Sequence, residues 1–112
     1  MAFNATLETT DSIAKITLSG ELDASTAPEF KQKVEEAASH DIKRLVLLMK
    51  DLEYMASAGL RVLIFAKQKM GLDVDIYVVE PQEMVLDTIE KTGFHHSVTI
   101  LNSYDSEQID KL

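Results

Sequence analysis

The sequence predicts an α/β domain: one mixed, mostly parallel β-sheet packed with helices, in the order β-β-α-β-α-β-α-β with room for a short terminal helix. Three observations predict it. The chain opens with two stretches of period-two alternation that read as a hairpin. Residues 45–49 (Leu-Val-Leu-Leu-Met) form an unbroken apolar run, the pattern of a strand buried on both faces. From there on, short β-type runs alternate with helical periodicity, which implies parallel crossovers, right-handed by default.

The elements follow in order. Phe3, Ala5 and Leu7 alternate with polar residues over residues 2–9, and Ala14, Ile16 and Leu18 do so over residues 12–19. Asp11-Ser12 supplies the turn between them, and Ser19-Gly20 is read as the end of the second strand. Thr26-Ala27-Pro28-Glu29 has the form of a capping box with proline in the first turn. Phe30, Val34, Ala37 and Ala38 then recur at helical spacing, and this helix stops near Ser39-His40-Asp41.

The buried strand is assigned to residues 43–49, followed by a short loop and a nearly all-apolar helix from Ser57 to about Met70-Gly71. Val74, Ile76 and Val78 make a fourth strand. Pro81 opens a helix with Val85 and Ile89 inward and Gly93 as its stop. Val98, Ile100 and Leu101 give the last strand. Residues 104–112 form at most a frayed helix, anchored only by Ile109 and Leu112.

Bulk composition narrows the function. At 112 residues, 46% hydrophobic and 27% charged, residues 1–112 are expected to form a single ordinary domain able to bury a core. A net charge of −8 argues against nucleic acid and anionic membrane surfaces as partners. With no cysteine there is neither a disulfide framework nor a thiolate metal site. No leader pattern is visible at Met1-Ala2-Phe3-Asn4, and no apolar stretch is long enough to span or insert in a bilayer. A soluble cytoplasmic domain is the expectation.

Ser57 is the most informative residue. At the head of a helix, a serine oxygen can accept a hydrogen bond from an orphan amide. The same terminus tolerates an anion, so a phosphate could sit there as well. Ser57 therefore reads as a cap or as a switch. On the helical wheel Arg61, Gln68 and Lys69 mark the exposed arc, and Phe65 falls about 40° from Arg61, inside that arc, with Ile64 at its opposite edge. An exposed aromatic there suggests a protein-binding surface, the bland alternative being that the terminal helix or a loop covers it.

Other chemistry finds little support. A nucleophile elbow needs glycine two residues before the serine, where this chain has Met55. His95-His96 has no evident third ligand, and neighbouring side chains point apart in extended chain. There is no phosphate-binding glycine loop and no dinucleotide fingerprint, so neither enzyme activity nor any cofactor or metal is indicated. The lysines and arginines are scattered and read as solvated.

The residues Leu18-Ser19-Gly20-Glu21-Leu22-Asp23, then a capped helix, an apolar strand and Tyr54-Met55-Ala56-Ser57-Ala58-Gly59-Leu60, closely resemble the STAS domain. The nearest branch is the anti-anti-sigma factors, or anti-sigma factor antagonists, and the likeness covers essentially the full chain. It implies a phospho-switch in bacterial partner switching. The unphosphorylated protein binds an anti-sigma factor that is also a serine kinase, and the sigma factor is released. The kinase phosphorylates the helix-head serine, binding is lost, and a separate serine phosphatase resets the system. By resemblance Ser57 is the phosphoacceptor, and Asp23 is the acidic residue near it at the partner surface. Gly59 and Leu60 complete the motif. Arg61, at i+4 from Ser57, can pair with a phosphate, and Arg61 and Phe65 join the expected partner surface. The chain is expected to be a monomer by itself.

Two positions depart from the family pattern: Ala56 stands where many members have Asp or Ser, and Leu48 where many have Asp. The rival function within the fold is a constitutive docking subunit, of a membrane-lipid ABC transporter or of a signalling scaffold, with Ser57 unmodified.

Overall fold

The computed structural model describes residues 2–111. The elements are β1 (Asn4–Thr10), β2 (Ile13–Leu22), α1 (Ala27–Ala38), β3 (Arg44–Met55), α2 (Ser57–Met70), β4 (Asp75–Val79), α3 (Glu83–Lys91), a 3-10 turn at Phe94–His96, β5 (Thr99–Leu101) and α4 (Ser106–Ile109). The first two strands form the expected hairpin, with Thr10 opposite Ile13 across the Asp11-Ser12 turn. Asp11 takes a left-handed backbone (φ 54), a conformation that aspartate tolerates better than most residues.

The sheet runs β1-β2-β3-β4-β5, antiparallel at β1–β2 and parallel from there on. Each crossover steps to the next position in the same direction, so a constant hand places α1, α2 and α3 on one face. Their inner residues Phe30, Val34, Leu63, Ala66, Val85 and Ile89 pack with Ile16, Leu18, Leu45, Leu47 and Val78 into the main core. The other face holds a smaller cluster, Ile13, Val46, Tyr77 and Val79, closed by Ile109 of α4. β3 is thus buried on both sides, as its apolar run predicts.

Two strand ends differ from expectation. β2 does not stop at Ser19-Gly20 but continues to Leu22, and β3 runs on to Met55 through the stretch expected as a loop. The two extensions pair with each other, Ser19 with Asp51, Gly20 with Leu52, Glu21 with Tyr54 and Leu22 with Met55. Two irregularities in register, at Thr17/Ser19 and Gly20/Glu21, break the period-two pattern. The second lies next to Gly20, whose φ of +84 and close approach to Ala2 exclude a side chain. Asp51, Glu53 and Tyr54 face solvent, which hides the strand signal further.

The capping box at the start of α1 does not form. Thr26 occupies the cap position without a side-chain cap bond, because its hydroxyl accepts from the Asp23 amide (2.9 Å) and donates to the Glu21 carbonyl (3.0 Å).

The C-terminal segment is held more firmly than expected, and not all basic side chains are solvated. Arg44, 8% exposed, donates from Nη1 to the carbonyls of Gln108 (2.6 Å), Ile109 (2.9 Å) and Lys111 (3.1 Å). The first two belong to the end of α4, whose carbonyls lack partners within the helix, and the third follows it. The guanidinium also lies 4.8 Å from the centroid of the Tyr77 ring. Lys15 Nζ meets Asp110 at 2.6 Å and donates to the Tyr104 hydroxyl at 2.6 Å, and that hydroxyl donates in turn to Asp110. Leu112, the other expected anchor, lies outside the described residues. No described helix is long and apolar enough to cross a membrane.

Two predictions follow from this anchoring. Arg44→Met removes three charge-assisted bonds and should cost about 1–3 kcal/mol of unfolding free energy. Hydrogen exchange should find the Ile109 and Asp110 amides nearly unprotected while β3 keeps its protection. The second concerns pH. Hydrogen bonding to Lys15 holds the Asp110 carboxyl below its ordinary range, and Asp110, then Tyr104, raise Lys15 above its own. The aspartate contribution is therefore present above the carboxylate range and lost as pH falls below about 4. The lysine contribution is present below the amine range and lost above about pH 10. The stability difference between the wild type and Lys15→Met should be flat between those limits and shrink beyond both.

Candidate functional site

The site is built where β2 and β3 end side by side. The Ala56 amide donates to the Leu22 carbonyl at 2.8 Å, so the residues next in line, Asp23 and Ser57, emerge together at the carboxyl ends of two parallel strands. Open α/β sheets commonly carry their functional residues at that edge. β3 passes into α2 through Ala56 alone, in extended conformation (φ −84, ψ 171).

This geometry corrects the reading of Ser57 as a cap. The cap position belongs to Ala56, which has no side-chain acceptor, and Ser57 is the first helical residue. Its side chain is exposed, and among the described residues its hydroxyl has no hydrogen-bond partner. The Gly59 and Leu60 amides both reach the Ala56 carbonyl (3.0 and 3.2 Å), whereas those of Ser57 and Ala58 have no acceptor among the described residues. Two free N–H groups and the positive end of the helix dipole therefore surround an accessible hydroxyl. Such a place accepts an anion readily.

Asp23 has an ordered place beside it. Its Oδ1 accepts from the Ser25 amide (2.9 Å), the Ser25 hydroxyl (2.7 Å) and the Thr26 amide (3.2 Å). The Ser25 hydroxyl, followed by these amides, holds the carboxyl below the usual aspartate range. The carboxylate orients its own turn while staying half-exposed.

Gly59 and Leu60 do not lie on the surface, contrary to their place among the expected partner-binding residues. Leu60 is buried, and a Cβ on Gly59 would lie 2.7 Å from the Leu22 side chain and 3.1 Å from Met55 Cγ. The absence of a side chain is what lets α2 press onto the end of β2, so both residues position Ser57 from beneath. Arg61 is exposed and, among the described residues, without an ion-pair partner.

Phe65 is half-buried rather than exposed. It packs against the main core, and the Lys31 ammonium of α1 stands 4.8 Å from its ring centroid. A wheel of α2 alone has no knowledge of α1, whose Lys31 stands over the ring. Ile64 (37% exposed) and Tyr54 (41%) are the apolar side chains left open near the helix head. The wheel placed Ile64 at the edge of the exposed arc, but nothing in the sequence singled out Tyr54 while residues 50–56 read as loop.

A cleft of about 470 Å³ lined by Ser19, Asp51, Glu53 and Gln82 lies along the β3 extension, where Gln82 Nε2 donates to the Lys50 carbonyl at 2.8 Å. Neither Ser57 nor Asp23 lines it. His95 and His96 sit in the 3-10 turn with ring centroids 3.9 Å apart, not pointing away from each other as expected. Among the described residues no group of three or more histidine, cysteine or acidic side chains could hold a metal ion.

A family model described as the STAS domain matches residues 4–107. Among solved structures, an anti-sigma factor antagonist from Mycobacterium paratuberculosis superposes with a TM-score of 0.88 at 22% identity, covering 98% of this chain and 96% of that one. The anti-sigma factor antagonist SpoIIAA in its unphosphorylated form gives 0.81 at 18% identity, with 96% and 94% covered. The Bacillus SpoIIAA in its phosphorylated form gives 0.73 at 18%, with 97% of each chain covered. At these identities the likeness is one of fold.

The packing under Ser57 makes a prediction against helix propensity. Alanine is favoured over glycine inside a helix by about 1 kcal/mol, yet Gly59→Ala forces a methyl into the fully buried Leu22. Overpacking of this kind costs about 1–3 kcal/mol, so urea unfolding of Gly59→Ala should show a net loss of stability with an unchanged slope.

Proposed function

This chain belongs to the STAS domain family, and from that premise we propose that it is an anti-sigma factor antagonist, a phospho-regulated protein-binding switch centred on Ser57. The observation that carries the reading is the Ser57 hydroxyl itself, exposed and unbonded at the head of α2 beside the ordered Asp23 turn. A serine recruited only to cap the helix would sit one residue earlier and spend its oxygen on an amide.

In its unphosphorylated form the chain binds an anti-sigma factor with serine kinase activity, and a sigma factor is freed. The docking surface is the head of α2, with Asp23, Ser57 and Arg61 at its polar part. Ile64 and Tyr54 supply its apolar part, and Phe65 supports α2 from the side. The kinase forms a bond from Ser57 Oγ to the γ-phosphorus of ATP; ADP leaves, and the hydroxyl proton passes to a base of the kinase. The chain is the substrate in this reaction, not an enzyme, and needs no cofactor. A serine phosphatase hydrolyses the ester and resets the switch. All of this fits a cytoplasmic protein, monomeric when alone.

The phosphate adds about −1.5 to −2 charges and three acceptor oxygens. The amides of Ser57 and Ala58 and the guanidinium of Arg61 can receive them without a change of fold. Asp51 and Glu53 on the neighbouring β3 extension add like charge, so the modified surface repels an acidic partner face.

A second reading, a constitutive docking subunit, draws on Ala56, which stands where many family members carry a polar residue. One experiment separates the two. The endogenous chain is isolated with phosphatases inhibited, and the Ser57 peptide is mapped by mass spectrometry across growth conditions. A condition-dependent phosphate is expected. Its absence at full peptide coverage under every condition would favour constitutive docking. If the switch operates, phosphorylation should weaken binding to the copurifying kinase at least tenfold, about 1.4 kcal/mol. Ser57→Ala should bind regardless of ATP, and amide exchange should give matching profiles for the two forms.

A further inference from the structure

The face of the sheet opposite α1, α2 and α3 has the parts of a docking site. Ile13, Val46, Tyr77 and Val79 form an apolar floor, with Leu48 and Leu101 half-buried at its margin. Two cations stand over it: Arg44, stacked on Tyr77 and bonded to three main-chain carbonyls, and Lys15, bonded to a carboxylate and a phenol. The occupant is residues 104–111. It inserts the fully buried Ile109 into the floor, offers Asp110 and Tyr104 to Lys15, and turns the carbonyls of Gln108, Ile109 and Lys111 toward Arg44.

Receptor and occupant are separable. α4 has four residues, too few for a helix that stands without its partner. Asp105 caps it, accepting from the Glu107 amide at 3.0 Å, and Lys111 pairs with Glu107, so the segment carries its own local order. Exposed residues 102–103, with no regular structure, join it to β5, a three-residue strand at the sheet edge that pairs, among the described residues, only with β4. A linker of that length reaches about 7 Å when extended, outward from an open edge.

We propose that this face is a peptide-docking site which the chain's own C-terminal segment fills in cis and the identical segment of a second copy fills in trans, giving a reciprocal exchange dimer. Exchange preserves every contact named above and changes only the linker, which is what makes swapping of an identical element inexpensive. The short linker gives cis closure an effective concentration in the millimolar range, so the closed monomer prevails at micromolar concentration. The net charge of −8 on each copy opposes association, so added salt favours the dimer. Arg44 begins β3 and Ser57 follows its end, so the exchange leaves both copies of the α2 head open.

The test mixes two full-length variants. Arg44→Met has an intact segment and a damaged receptor; the double variant I109S/D110A has an intact receptor and a damaged segment. At about 1 mM the mixture should form at least tenfold more heterodimer than either variant forms homodimer, read by native mass spectrometry and light scattering. Adding Arg44→Met to the second chain should abolish it. No heterodimer from two folded variants overturns the proposal. Should either variant fail to fold, wild-type chain is refolded at the same concentration from labelled and unlabelled halves. Isotope-filtered NOEs between Ile109 of one copy and Tyr77 of the other are then expected to grow with salt, and strictly intrachain NOEs overturn the proposal. Neither readout involves Ser57, so the outcome is independent of the phospho-switch.

Discussion

The contact on which the rest depends is the close approach of α2 to the end of β2. Gly59 has no side chain, Leu22 fills the space beneath it, and the Ala56 amide binds the Leu22 carbonyl. Together these fix the head of a helix, the end of a strand and the start of the next turn as one rigid unit. Asp23 and Ser57 are neighbours because Leu22 and Ala56 are. The two β-irregularities before Leu22 serve the same end, since they carry β2 far enough to meet β3 at its last residue.

β3 links the two chemically distinctive regions of the domain. It begins at Arg44, under α4 on the face opposite the other helices, and ends at Met55, one residue before the head of α2. Over residues 44–48 it is largely buried on both sides and bonded to both β2 and β4, the most protected environment a small sheet offers. A rigid strand of this kind separates the regions mechanically. Events at the C-terminal segment and at the α2 head are therefore expected to be nearly independent, with coupling spread through the core rather than carried by one path.

Most of the architecture was legible because burial wrote it into periodicity. The apolar run at residues 45–49, the helical spacing of Phe30 and Val34, and the pair Val85 and Ile89 each mark a face that meets the core. What stayed hidden depends on partners distant in sequence. The extension of β3 carries exposed Asp51, Glu53 and Tyr54, and only pairing with residues 19–22 makes it a strand. The environment of Phe65 is set by Lys31 on another helix, and Arg44 finds its acceptors 64 to 67 residues downstream. At the site, Ser57 and Asp23 could be read from local pattern. Whether Ser57 caps or stands free, and whether Gly59 and Leu60 lie inside or outside, turned on a single residue of helix phase.

The energetics of the head of α2 bear on how a switch there can work. A phosphate on Ser57 changes a net charge of −8 by about two units, a small long-range effect when the Debye length is about 8 Å in physiological salt. Its local effect is large. In the free domain the dianion stays hydrated and meets unpaired amides at the positive end of a helix, so nothing obliges the fold to yield. In a complex that covers Ser57, the same group must be stripped of water, at several kilocalories per mole unless the partner supplies matching charge. The penalty thus falls on the complex and not on the domain. That asymmetry requires a helix head that cannot move aside, and the packing of Gly59 on Leu22 supplies it.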